Sequence, residues 1–104
     1  MNTNATPEKI IAPFTVLGKT VDSRQIANAI DLIANLPAAF SSGGVITALL
    51  PAEPDVGVRF EASNRLFQRW RKLGLATYKR KLWTLTPGAW NLMQQAAHEA
   101  RKDS

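Results

Sequence analysis

The chain contains no cysteine. That absence excludes a disulfide scaffold, a thiolate zinc site and a cysteine nucleophile, and it fits a reducing compartment. Histidine occurs once, at His98, too few for a histidine-pair metal site or a serine–histidine–aspartate relay. His98 itself falls on the outer side of the last expected helix. No stretch approaches the ~18 apolar residues that a membrane span requires; the longest, Gly43 to Leu50, lies mid-chain. Met1 to Pro13 lacks the apolar core of a signal peptide, so a cytoplasmic location is expected. Glu53 and Asp55 lie in a proline-containing loop with no histidine or third ligand nearby, which makes a metal or acid–base role a weak reading. Without a nucleophile–base pair, a ligand cluster or a nucleotide loop, neither an enzyme nor a cofactor is expected.

Negative charge is also scarce, and its scarcity is local. The 104 residues carry 13 Lys and Arg against 8 Asp and Glu, a formal net charge of +5. Between positions 59 and 81 stand Arg59, Arg65, Arg69, Arg71, Lys72, Lys79, Arg80 and Lys81, opposed only by Glu61; this segment alone is +7 and the remainder is −2. Positive charge gathered on a small domain favours a polyanion, because each phosphate contact releases condensed counterions. The competing explanation is a solvated face that serves solubility.

At this length one domain is expected. Residues 1–21 look like a tail or arm. Pro7 and Pro13 argue against helix there, and Phe14, Val16 and Val21 suit a short strand or packing arm. Residues 22–104 form the folded part. Asp22 with Gln25 three positions on is a capping-box pattern, and Ile26, Ala29, Ile30 and Ile33 follow at helical spacing. Ser41-Ser42-Gly43-Gly44 can start a second, short helix through Leu50. A third helix is expected from about Glu61 to Leu73, with Ala62, Leu66, Trp70 and Leu73 inward and Gly74 as its stop. The period then changes to two: Leu75 to Tyr78 and Leu82 to Leu85 read as strands around a Lys79-Arg80-Lys81 turn. Thr86 and Pro87 suit the cap and first position of a last helix, with Ala89, Met93, Ala96 and Ala100 on its apolar face.

The expected fold is mainly α with a small β-hairpin. Three helices, a two-stranded wing and a C-terminal helix make a winged helix-turn-helix. The run Ser63-Asn64-Arg65-Leu66-Phe67-Gln68-Arg69-Trp70-Arg71-Lys72-Leu73-Gly74-Leu75 resembles the recognition helix and helix-end Gly-Leu of winged-helix regulators. Trp83-Thr84-Leu85-Thr86-Pro87-Gly88 is similar to the strand-to-helix junction of MarR-like proteins, one residue shorter here. The resemblance spans about residues 23–100 and implies DNA binding and transcription regulation.

The residues make the same case independently. Arg65, Arg69 and Lys72 recur at i, i+4 and i+7 and form a basic stripe. Asn64 and Gln68 can bond adenine N6 and N7, and Arg65 can bond guanine O6 and N7. Ser63, Asn64 and Arg65 lie in the first half of the expected helix, where base contacts concentrate. Lys79, Arg80 and Lys81 suit backbone or minor-groove contacts at the wing tip, and Arg59 belongs to the same basic stretch. Ser42 and the Gly43-Gly44 amides can hold a phosphate, although a plain helix start explains them as well. Trp70, Trp83 and Trp90 fall in register with apolar residues and are read as core in preference to stacking platforms; Tyr78 suits either hairpin packing or a sugar-phosphate contact.

The leading expectation is a sequence-specific double-stranded DNA-binding protein, a small transcriptional regulator acting as a homodimer on a two-fold-symmetric site. The last helix and the apolar arm residues Ile10, Ile11, Phe14 and Val16 are the expected dimer contact. The alternatives are a winged-helix module that docks an acidic protein, or a low-specificity DNA-binding accessory factor of a plasmid or phage.

Overall fold

The computed structural model describes residues 5–41 and 49–102. The chain enters through a short helix, α1 (Pro7–Ile10), with Pro7 in its first turn. Pro7 does not prevent this helix, contrary to expectation, because the first N–H groups of a helix have no intrahelical partner to lose. The Thr6 hydroxyl accepts from the Lys9 N–H at 3.4 Å. Strands β1 (Phe14–Val16) and β2 (Lys19–Val21) then form an antiparallel hairpin. Its two turn residues, Leu17 and Gly18, both have positive φ, 49° and 81°, as a tight two-residue hairpin requires.

Helix α2 (Ser23–Ile33) starts on the expected capping box. Gln25 N–H donates to the Asp22 carboxylate and the Asp22 N–H donates to Gln25 Oε1, each at 2.9 Å. Strand β3 (Ala39–Phe40) follows. Helix α3 (Val56–Lys72) begins five residues before the expected Glu61. Proline and glycine near its start suggest a loop, but the Asp55 carboxylate caps the helix by accepting from the Gly57 N–H at 2.8 Å. Gly74 stops it as expected, at φ 79°. Leu75 N–H reaches the Trp70 carbonyl at 2.9 Å and Gly74 N–H reaches the Arg71 carbonyl at 3.0 Å, the paired bonds of a Schellman ending.

Strands β4 (Ala76–Lys79) and β5 (Leu82–Leu85) make the expected hairpin, with Tyr78 opposite Trp83. The sheet has a third strand that the hairpin expectation lacked. Ala39 pairs with Thr84 and Phe40 with Trp83, so the order is β3-β5-β4. Helix α4 (Ala89–Lys102) starts after a turn at Pro87 and Gly88, so Thr86 is not its cap. The Thr86 hydroxyl instead donates to the Gly74 carbonyl at 2.8 Å, and its N–H donates to the Leu75 carbonyl at 2.9 Å. Thr86 thereby ties the end of the hairpin to the end of α3. The outcome is a small α/β domain with four helices and two antiparallel sheets among the described residues.

One core unites these parts. Helix α4 packs most extensively on α2 and next on α1. Its buried positions are Ala89, Met93, Ala96, Ala97 and Ala100; the four alanines let the helices approach closely, and Met93 fills the space between them. Arg101 and Asp31 pair at the rim of that contact. Beside it stand the rings of Phe40, Phe67, Trp70 and Trp83. Phe67 lies 5.3 Å from Trp70, edge-on, and 5.1 Å from Trp83, stacked. Trp70 and Trp83 are buried, as expected of core residues.

Residues 5–21 are not a detachable tail. Ile10, Val16 and Val21 are completely buried, and Trp70 donates its indole N–H to the Ile10 carbonyl at 3.3 Å. Ile10 and Val16 are therefore consumed inside their own chain and are unavailable as dimer contacts. The apolar face of α4 is likewise covered by α2 and α1. Among the described residues, no helix is long and apolar enough to cross a membrane.

Candidate nucleic-acid interface

The basic stretch occupies two adjoining elements, the outer side of α3 and the β4–β5 turn. The Schellman ending at Gly74 turns the chain back so that β4 packs beside α3. Asn64, Arg65, Arg71 and Lys72 are exposed on the helix, Gln68 and Arg69 are half-buried, and Lys79, Arg80 and Lys81 are exposed at the turn.

Two expected contact residues sit elsewhere. Ser63 is fully buried, and its hydroxyl has no partner among the described residues. It lies one turn before Phe67 and two before Trp70, hence on the inward face, and cannot reach a base. That spacing is legible in the sequence once the buried face is centred on Phe67. Arg59 is half-buried with its Nε inside the protein. Ser42 and the Gly43-Gly44 phosphate cradle lie outside the described residues.

The expected Arg65–Arg69–Lys72 stripe is divided by the N-terminal segment, which runs along α3. Arg69 donates to the Ala12 carbonyl at 2.6 Å, and its guanidinium lies 5.1 Å from the centre of the Phe14 ring. Burial lowers its pKa from the ordinary arginine value, but a guanidinium remains charged throughout the physiological range. Arg69 is thus a strut between α3 and β1. Arg65 is more open: it donates to the Thr15 carbonyl at 3.2 Å and lies 3.8 Å from Glu61, with about half its side chain in solvent. Lys72 has no ion pair among the described residues.

Two hollows flank the helix. One, of about 380 Å³, is lined by Asn64, Arg65, Gln68, Arg69, Lys72 and Leu73. The other, of about 350 Å³, lies between α3 and the hairpin, with Asn64 and Gln68 on one wall and Tyr78 and Lys81 on the other. Asn64 and Gln68 line both and form the ridge between them. Phe60 also lines the second hollow and is 53% exposed. A helix start at Glu61 hides Phe60, whereas a start at Val56 puts it one turn before Asn64 on the same stripe.

The hairpin turn holds its cations at a conformational cost. Arg80 and Lys81 have φ of 54° and 68°, where residues with a Cβ are strained. Asn-Gly is the easiest pair in such a turn, yet here both positions carry charge. The double variant Arg80→Asn/Lys81→Gly is expected to gain ~1–2 kcal/mol of stability, read by thermal denaturation.

Among the described residues, no cluster of His, Cys, Asp or Glu can hold a metal ion. No protein-family model, curated protein or solved structure matches the chain.

Proposed function

We propose that the chain is a winged-helix, sequence-specific DNA-binding protein, a small cytoplasmic transcriptional regulator of double-stranded DNA. One observation carries the reading: Asn64 and Gln68 of α3 and Lys81 of the β4–β5 turn border a single hollow. The β4–β5 hairpin directly after the basic helix suits the two-stranded wing of a winged helix and supports the reading alongside the MarR-like resemblance of the segments around Gly74 and Thr86.

In this reading α3 enters the major groove. The carboxamides of Asn64 and Gln68 bond adenine edges, and the free end of Arg65 bonds guanine. Lys72 meets a phosphate, while Lys79, Arg80 and Lys81 meet the backbone or minor groove. Arg69 acts indirectly by holding α3 to the N-terminal strand, and Ser63 acts in the core. One such domain spans one half-site, so a homodimer on a symmetric operator gives the needed specificity, through a surface other than Ile10, Val16 or the inner face of α4.

The test is selection of bound sequences from random duplex DNA at two salt concentrations. An enriched symmetric motif is expected. Lys81→Ala should weaken all sequences alike and reduce the salt slope by about 0.9. Asn64→Ala should lose ~1–3 kcal/mol of discrimination at one base position. A pool that stays unenriched at both salt concentrations overturns sequence-specific binding.

A further inference from the structure

The hollow between α3 and the hairpin has more in it than the edge of a base pair can use. Its walls combine two carboxamides, Asn64 and Gln68, with two exposed aromatic rings, Phe60 and Tyr78, and one ammonium group, Lys81. Tyr78 is 50% exposed, but its ring is anchored 4.7 Å from that of Trp83, which is almost wholly buried. The ring is thus held in place by the core while one side stays open. Among the described residues, the side chains of Asn64 and Lys81 and the Tyr78 hydroxyl have no hydrogen-bond or ionic partner within the protein. The Gln68 carbonyl oxygen accepts only a long bond, 3.4 Å, from Arg71.

A stacked base pair offers its edges and no face. Asn64, Gln68 and Lys81 can serve such edges and a nearby phosphate, but Phe60 and Tyr78 would then stay bare in water. An unstacked base offers both a face and a hydrogen-bonding edge, which matches all five groups at once. The volume, about 350 Å³, falls within the ~300–1,000 Å³ common for small-ligand sites.

We infer that this hollow binds one unstacked nucleobase of the bound nucleic acid. The base stacks on Tyr78 and Phe60, its edge bonds Asn64 and Gln68, and its phosphate meets Lys81. The inference rests on the DNA-binding reading above, moves Asn64 and Gln68 from the edge of a stacked base pair to that of a base outside the stack, and adds a preference for DNA that offers such a base. That base can come from a single strand or be extruded from a duplex.

The experiment compares three DNAs of one sequence by fluorescence anisotropy: the paired duplex, the duplex with one extrahelical adenine, and the single strand. At least one DNA with a free base is expected to bind about 10-fold tighter than the paired duplex, in keeping with the worth of one base–aromatic stack. Preference for the bulged duplex assigns the base to extrusion, and preference for the single strand assigns it to an open strand; either supports the site. With 2-aminopurine as the free base, fluorescence should fall on binding as the base stacks. Phe60→Ala and Tyr78→Ala, both at half-exposed positions, should each remove most of the preference. Paired-duplex affinity should stay within about twofold, because phosphate contacts set it. Equal affinity for all three DNAs, or a preference that survives both substitutions, overturns the inference while leaving duplex binding intact. Failure to bind any of the three at low salt overturns the DNA-binding reading itself.

Discussion

A chain shortened to begin at Asp22 is expected to lose cooperative folding. The removed segment includes Ile10, Val16 and Val21, all fully buried. Burying an aliphatic side chain of this size is worth ~1.5–3 kcal/mol. The truncation also takes away the Ile10 carbonyl that receives the Trp70 indole N–H, and a buried donor left unpaired costs a further ~1–3 kcal/mol. Arg69 loses its acceptor at Ala12 and its stacking partner Phe14. Together these losses rival the whole stability of a domain this size, ~5–15 kcal/mol. Urea unfolding followed by tryptophan fluorescence and circular dichroism is the measurement. A broad, weak transition is expected from the shortened chain. A sharp transition with the slope of the full chain would make residues 5–21 an accessory arm after all. The point variant Ile10→Ala should stay folded and lose ~2–5 kcal/mol, which tests the same packing without deleting a hairpin.

Phe67→Ala is the second large effect, at ~3–5 kcal/mol. The Phe67 ring is completely buried and meets three others: Phe40 at 5.8 Å, Trp70 at 5.3 Å and Trp83 at 5.1 Å. It joins α3 to the edge strand β3 and the central strand β5 of the three-stranded sheet, through Phe40 and Trp83 respectively. The cavity left by alanine would loosen the seat of the hairpin as well as the core. DNA binding should therefore weaken along with stability, although Phe67 faces away from the proposed ligand. Equilibrium denaturation checks the first effect and anisotropy with paired duplex checks the second. Phe67→Leu fills part of the space and should show a smaller loss in both. A change below ~1 kcal/mol, as at ordinary surface positions, would mean that the aromatic cluster contributes little.

Much of the local architecture is legible in the residues because its causes are local. The Asp22–Gln25 capping box, the α2 stripe from Ile26 to Ile33 and the stop at Gly74 involve partners within a few positions. So does the hairpin around residues 79–82. Misreadings cluster where two local signals compete. Val56-Gly57 follows a proline-containing stretch, yet Asp55 caps it into helix. Pro7 discourages helix interiors but fits a first turn. Thr86-Pro87 has the composition of a helix start, but Gly74 offers the threonine hydroxyl a carbonyl acceptor from 12 positions away.

The sequence alone determines that positive charge is gathered between residues 59 and 81, that this charge falls on a helix and a hairpin turn, and that Trp70 and Trp83 belong to the core. Those properties follow from composition and from periods of 3.6 and 2. Tertiary structure decides which members of the basic stretch are free to act. Arg65 and Arg69 meet the carbonyls of Thr15 and Ala12, 50 and 57 positions away, and Ser63 disappears under the same α3 that exposes Asn64. Tertiary structure also brings Phe60 and Tyr78 to one hollow. A carbonyl seeking a donor and a ring seeking a face respond to distance in space. Helical spacing along one segment says nothing of a strand that arrives from the other end of the chain.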